Sequence, residues 1–539
     1  MSAAKPADVT AAAAPVTAAE TPAMPLNRAG LLSVLALAAL SDWLFYARAS
    51  VGIALVVFAF ATAAAICLVN RPRARSAAII LGGAALLAAT LAPFAVSPSI
   101  LSGLFALAGV AVFAVIIASG EKAATLTQRS AAAFRLVGDC GWRIYPDLAG
   151  ELRRPRSRGL LGGMTLVPWT VPLLLGATFL ALFAMANPLI ERWLAALDPA
   201  LLLDRLSFPR IAFWLIAASL VWPFLFVRTR PEQGESEAAA AAPTEAPAPP
   251  APMSYATGGY LGHAAIVRSL LLFNALFALQ SILDATYLWG GVELPEGMSH
   301  AEYAHRGAYP LIVTALLAAA FVVIALRPGS EASKDRGVRA LVYLWVAQNV
   351  LLVLSSILRL DLYVETYSLT YWRIAAFVWM VIVAIGLVLI VVRIALDLPT
   401  RWLVAANAVT LAVALYACAY PNFPAIIADY NVRHSAELTG RGSSLDKDYL
   451  NSLGEHAIPA LDLLLARGSL SEGAREVIGN WRKVHAGVLK DKLADWRAWS
   501  WWDWQLLGYV ESTPAPAEPS RAPAQSESQS PTQPGQPAP

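Results

Sequence analysis

The chain has 539 residues, of which 58% are hydrophobic and 14% charged, with a net charge of +3. Soluble domains carry about a quarter charged residues, so this chain has too little polar surface to cover a globule in water. The net charge is small and the arginines gather at the ends of apolar blocks, which leaves no continuous basic face and argues against a nucleic-acid partner.

Residues 1–25 form an Ala/Pro/Thr tract without an apolar core. They read as a disordered tail rather than a cleaved signal, with the first span acting as an uncleaved anchor. The apolar residues that follow come in blocks of about twenty, the length that crosses roughly 30 Å of hydrocarbon. In chain order the blocks are Leu31–Tyr46, Val51–Val69, Ala77–Val96, Ile100–Ala118, Leu166–Ile190 and Ile211–Val227, then Ala264–Trp289, Ala308–Leu326, Ala340–Leu358, Ile374–Leu396 and Trp402–Tyr420. Loops after the even-numbered blocks are rich in arginine (Arg71, Arg73 and Arg75; Arg129 to Arg158; Arg228 and Arg230; Arg327 to Arg339), and those after odd-numbered blocks are poor in it. The positive-inside rule then puts the N-terminus in the cytoplasm and the C-terminus outside. The fold class is all-α: a polytopic transmembrane helical bundle of about eleven spans with a small extracytoplasmic helical domain.

Two cytoplasmic segments interrupt the spans. Residues 120–163 hold Leu126, Ala133, Phe134 and Val137 on one helical face, the pattern of a basic amphipathic segment on the inner leaflet, or else of an ordinary loop with retention charges. Residues 231–257, rich in Pro, Ala and Glu, read as a disordered linker between membrane half one (31–227) and membrane half two (264–420). The halves show no convincing repeat, although Asp42–Tyr46 and Asp284–Tyr287 each end an outward-running span. Residues 421–511 are amphipathic and helical, with a capping box expected at Ser469/Glu472 and Ile478, Trp481, His485, Val488 and Lys492 at helical spacing. This domain closes on Trp496, Trp499, Trp501, Trp502 and Trp504, and residues 512–539 read as a disordered tail.

Several stretches carry a resemblance. They are Asp42-Trp-Leu-Phe-Tyr46, Tyr287-Leu-Trp-Gly-Gly291, Leu294-Pro-Glu-Gly-Met298 with Ala301-Glu-Tyr303, and Arg306-Gly307; further on come Leu362-Tyr-Val-Glu365, Leu369-Thr370 with Arg373, and Asp495-Trp-Arg497 with Trp499. Together they resemble a bacterial integral-membrane family of unknown function, the DUF family four-one-seven-three and its close relative. The resemblance implies this architecture and a multi-pass place in the bacterial inner membrane, and brings no activity or catalytic residue. Ser368 departs from the family, which favours glycine there and so puts the local turn in question.

Charge inside apolar blocks is costly, so it marks candidate sites. Gln280, Asp284 and Tyr287 make one helical stripe, and Gln348, Ser355 and Arg359 make another, both toward the outer end; Asp42 lies at similar depth. One reading is a polar pocket in the outer leaflet, with Asp284 or Asp42 paired to Arg359, for an ion, a proton or a lipid headgroup. The simpler reading is helix-end charges with one structural salt bridge, in which case Asp284 and Arg359 are neighbours. The outer loop 290–309 is a second polar cluster, with Glu293, Glu296, Glu302, Tyr303 and Arg306 as its motif residues. His300 and His305 flank Glu302 there, but five residues separate them, about 140° around a helix, which does not suit one metal. No metal or cofactor is expected, and Cys67, Cys140 and Cys418 are too isolated for a disulfide or cluster. The tryptophans either pack the small domain, seat it on the bilayer, or stack on a ligand.

No nucleophile elbow, phosphate loop or nucleotide fingerprint stands in a usable context. Three functions remain: a non-enzymatic protein of envelope sensing, regulation or assembly; a transporter or lipid-handling protein; and, last, a membrane-embedded enzyme. The expected partners are the lipid bilayer and, on the first reading, another envelope protein.

Overall fold

The computed structural model describes residues 27–48, 50–70, 77–119, 126–152, 207–227, 263–286 and 335–513, with short helical pieces at 175–176, 179, 317 and 319–322. Described residues are helical, with no strand among them, and nine of their helices are long and apolar enough to cross a membrane. These coincide with nine of the apolar blocks. Most of the other two, Leu166–Ile190 and Ala308–Leu326, lies outside the described residues, as do both tails and the 231–257 linker. The chain forms two compact units, Met1–Phe94 with Ser102–Thr244, and Ala95–Leu101 with Glu245–Pro539.

In the first unit, α1 (Arg28–Phe45) begins at Asn27, whose side chain accepts the Gly30 amide. It is followed by α2 (Ile53–Asn70), α3 (Ala77–Val96) and α4 (Ile100–Ser119). Helices α3 and α4 touch closely: a Cβ on Gly109 would sit 1.9 Å from Thr90 Oγ1, so only glycine permits this approach. Next come α5 (Leu126–Gly138), α6 (Ile144–Leu152) and α7 (Phe208–Leu225), the last capped by Ser207 with proline in its first turn. Tyr46 at the end of α1 meets Ser207 at the start of α7, while Asn70 at the end of α2 donates to Leu225 at the end of α7. Helix α7 therefore runs antiparallel to α1 and parallel to α2.

On α5 the structure rotates the expected face. Ala133 and Leu136 are buried against the core and Val137 is partly buried, but Phe134 is 81% exposed. Residues 133, 136, 137 and 140 form the i, i+3, i+4, i+7 stripe that packs on protein, and Phe134 stands about 100° away from Ala133. The segment docks onto α7, with Cys140 Sγ and the Gly141 amide donating to the carbonyls of Leu220 and Ser219.

The second unit opens with α8 (His263–Asp284), then α9 (Arg336–Tyr367), α10 (Tyr371–Ala395) and α11 (Thr400–Cys418). His263 at the start of α8 contacts Asp335, the N-cap of α9, and Asn274 donates to Leu341 across the pair. Helices α8 and α9 are thus parallel. Helix α9 has 32 residues, about 48 Å, and outruns a bilayer core of about 30 Å. Its last turns run past the expected block ending at Leu358 and lead to Leu369, which contacts the small helical domain.

That domain comprises α12 (Phe423–Arg433), α13 (Ala436–Thr439), α14 (Lys447–Ser452), α15 (Ile458–Arg467), α16 (Glu472–Ala494) and α17 (Trp501–Ser512). Its core gathers Ile427, Val432, Leu461, Leu464 and Ile478, with a second cluster around Ile458 and Leu489. Ser471, not Ser469, caps α16; Ser469 instead donates to the Glu437 carbonyl. The buried face of α16 is Ile478, Arg482, Ala486 and Leu489, one residue round from the expected stripe, so Val488 is exposed while Trp481 is only partly buried. Arg482 takes a core position because Asp462 on α15 meets its guanidinium at 3.0 Å.

Candidate functional site

The polar residues of α8 and α9 converge. Asp284 closes α8 and is 3% exposed. Gln280, one turn earlier, donates Nε2 to Asp284 Oδ1 at 2.8 Å, and Ser355 of α9 donates to Oδ2 at 3.2 Å. Arg359, one turn beyond Ser355, places Nη2 on Oδ1, closing an ion pair whose side chains are 9% and 4% exposed. The parallel course of the two helices puts the end of α8 level with the late turns of α9, and i, i+4 spacing on each aims the four groups at one point. Gln348 lies on α9 but not in this cluster, and its buried Oε1 has no hydrogen-bond partner among the described residues. Tyr287 lies outside the described residues, as do Glu293, Glu296, Glu302, Tyr303 and Arg306 of the outer-loop motif.

Asp42 takes a different partner. In the first unit Arg210, in the opening turn of α7, meets both carboxylate oxygens of Asp42, so the alternative of an Asp42–Arg359 pair does not stand. Tyr46 flanks this pair, with its ring 5.5 Å from the guanidinium carbon and its hydroxyl 3.2 Å from Ser207. Arg210 reads from the sequence as a loop charge; the antiparallel course of α7 brings it to the level of Asp42.

Four further polar clusters were not legible in the sequence. Arg143 is 3% exposed between α5 and α6. It bonds the Phe226 carbonyl and lies 3.3 Å from Asp139 and 3.5 Å from Asp147, while Trp222 donates to Asp147 at 2.9 Å. Asp139, Arg143 and Asp147 recur every four residues, a spacing that could have signalled the network. In the small domain Asp503 is 2% exposed, with Ser500 Oγ at 2.6 Å, Lys492 Nζ at 2.9 Å and His456 Nε2 at 3.3 Å. Burial pushes its carboxyl up, but His456, Ser500 and Lys492 outweigh burial and hold it at about 2. Asp462 pairs with Arg482 and accepts from Tyr509 at 3.3 Å.

The fourth cluster fastens the small domain to the membrane helices. Asn431 of α12 accepts the Leu369 amide at 2.6 Å and donates to the Leu369 carbonyl at 2.9 Å, so one side chain satisfies both backbone groups between α9 and α10. Arg373 donates to the Tyr367 carbonyl at 2.6 Å and lies over the Tyr363 ring at 4.7 Å, closing the end of α9. Ser368 takes φ 69° and ψ 166°, a conformation that glycine adopts freely and serine at a cost. The glycine that the resemblance implies at this position fits that geometry. Trp502 donates to the Tyr420 carbonyl just past α11, whereas Trp496, Trp501 and Trp504 are 40 to 51% exposed.

No group of three or more metal-ligating side chains occurs among the described residues. Asp284 and Arg359 close on each other, whereas Arg210 of the Asp42 pair stays exposed.

No curated protein and no solved structure matches the chain. A family described as Domain of unknown function (DUF4153) matches residues 29–464, more than half of the chain. Its number differs from the four-one-seven-three to which the motifs pointed, and the match stops within α15, short of the Asp495–Trp499 stretch that was included in the resemblance. This chain is an integral-membrane member of the DUF4153 family, whose function is unknown.

Proposed function

We propose that the protein is a non-enzymatic component of the bacterial inner membrane, working in envelope sensing, regulation or assembly through its C-terminal helical domain. One observation carries this reading: Asn431 brackets the Leu369 backbone and so ties the domain to the α9–α10 turn. A ligand or partner that shifts the domain must then shift the turn, which is what a sensing or scaffolding module requires. The transporter reading has less support, because both oxygens of Asp284 are engaged by Gln280, Ser355 and Arg359. Crosslinking and pulldown from native membranes should return a stoichiometric envelope protein, and Asn431→Ala should weaken its recovery. Substrate flux in proteoliposomes with no recovered partner would reverse the choice.

The same reading places the N-terminus inside, the C-terminus outside, and eleven crossings between. Helix α4 ends on the side where α2 ends, since residues 71–76 and 97–99 are too short to cross, and α7 starts on the opposite side. An odd number of crossings must separate α4 from α7, and Leu166–Ile190 is the apolar block available. Parallel α8 and α9 likewise need a return between them, which Ala308–Leu326 can supply. A periplasmic reporter should be active when fused after Thr513 and silent at Ala240; the opposite pattern overturns the orientation.

A further inference from the structure

Helices α10 and α11 form a hairpin whose described surroundings are sparse, with Leu403 the one buried residue of α11. The two helices approach closely at Gly386, where a Cβ would lie 3.0 Å from Asn407 Oδ1. Toward the small domain they enclose a groove of about 510 Å³, open along one side, with Phe423 of α12 at its head. Tyr371, Trp372, Val378, Trp379, Leu415 and Cys418 are among its walls, and no charged residue is among the described residues that line it.

We propose that this groove holds one acyl chain of a phospholipid from the leaflet beneath the small domain. This goes beyond the role proposed above and does not depend on it. The groove runs along α10 from Tyr371 to Ile382, about 16 Å, which is half of a hydrocarbon core of about 30 Å and therefore the depth of one leaflet. Its walls expose almost no polar surface, so hydration is unfavourable, and leaving it empty forfeits dispersion contacts along its length. A flexible hydrocarbon chain restores those contacts. Tyr371 and Trp372 mark the mouth, and Trp372 is 86% exposed there. Aromatic rings of this kind lie at headgroup level, so the glycerol end of the lipid would sit beside them.

The test uses the full-length protein in vesicles containing a phospholipid with a photoreactive group near the end of one acyl chain. Crosslinks should concentrate on 378–382 and 411–415, the deep end of the groove, at least fivefold over exposed Leu215 and Leu276, which face outward midway along other helices. Native mass spectrometry of the detergent-purified protein should find one retained phospholipid. Ala375→Phe with Leu415→Phe, filling the groove, should abolish both signals, and Val404→Phe, on an exposed position of α11 away from it, should leave both intact. Crosslinks spread evenly over all exposed helix faces would overturn the proposal, as would retention of lipid by the filled variant. A Cys418–Cys418 crosslink between two copies, without bound lipid, would assign the groove to a second chain. The photo-crosslink pattern is read on the unaltered protein, so the proposal stands or falls even if the filled variant misfolds.

Discussion

Each unit has an aspartate near the end of its first described helix and an arginine from another helix to meet it, yet the two pairs differ in what surrounds them. At Asp284–Arg359 both side chains are nearly inaccessible, and Gln280 and Ser355 complete the carboxylate's hydrogen bonds. At Asp42–Arg210 the carboxylate is 8% exposed but the guanidinium is 56% exposed and lies against Tyr46. The partner's place on its helix follows from direction: antiparallel α7 offers Arg210 in its first turn, whereas parallel α9 offers Arg359 late. Ion pairing alone thus does not define the role of these charges. Burial of the second partner decides whether the pair is a fixed joint or a surface contact.

The largest effect should come from breaking the closed joint. Asp284→Asn or Arg359→Gln should each lower thermal stability in detergent, at about 3–5 kcal/mol for a stranded buried charge, and the double variant should recover much of that loss. Additive losses in the double variant would mean that the two residues do not act as a pair. A stable double variant that fails to support function in cells would instead give the pair a functional role.

Asp503 sharpens the comparison from the water-facing side, since it too is a buried carboxylate ringed by donors. Its folded-state value of about 2 lies below the ordinary 3.8. A depressed carboxyl stabilises the fold above its unfolded value, and that contribution fades as pH falls from about 4 to about 2, roughly 2 kcal/mol in all. Tryptophan fluorescence should therefore report loosening of the small domain in that window, and Asp503→Asn should flatten the response. An identical acid profile in the variant would remove Asp503 from the explanation.

A smaller change of opposite sign is expected at the joint between domain and bundle. Ser368→Gly relieves a positive φ and should stabilise the protein by about 1 kcal/mol, seen as a higher Tm. A lower Tm would show that the serine side chain contributes more than the strain it causes. Asp42→Asn should have the least effect, a Tm change well below that of Asp284→Asn, because water and headgroups can reach Arg210 once the carboxylate is gone. Equal losses at the two sites would erase the distinction drawn here.

The sequence by itself determined that this is a membrane protein of helices, because hydrocarbon demands about twenty apolar residues with every backbone group bonded internally. Nine apolar blocks return as helices, most with ends shifted by a few residues and α9 running on to Tyr367, and helical spacing alone sets Asp284 beside Gln280 and Arg359 beside Ser355. What spacing could not supply is the rotation and direction of one helix against another. Periodicity names a face, but an apolar helix in lipid has little amphipathic contrast to say which face meets protein. Tertiary packing therefore decided that Arg210 meets Asp42, that Arg143 and Arg482 are interior residues, and that α5 buries Leu136 while exposing Phe134. It also decided that one asparagine, Asn431, fastens the small domain to the membrane helices, a contact between residues 62 apart whose geometry no local pattern encodes.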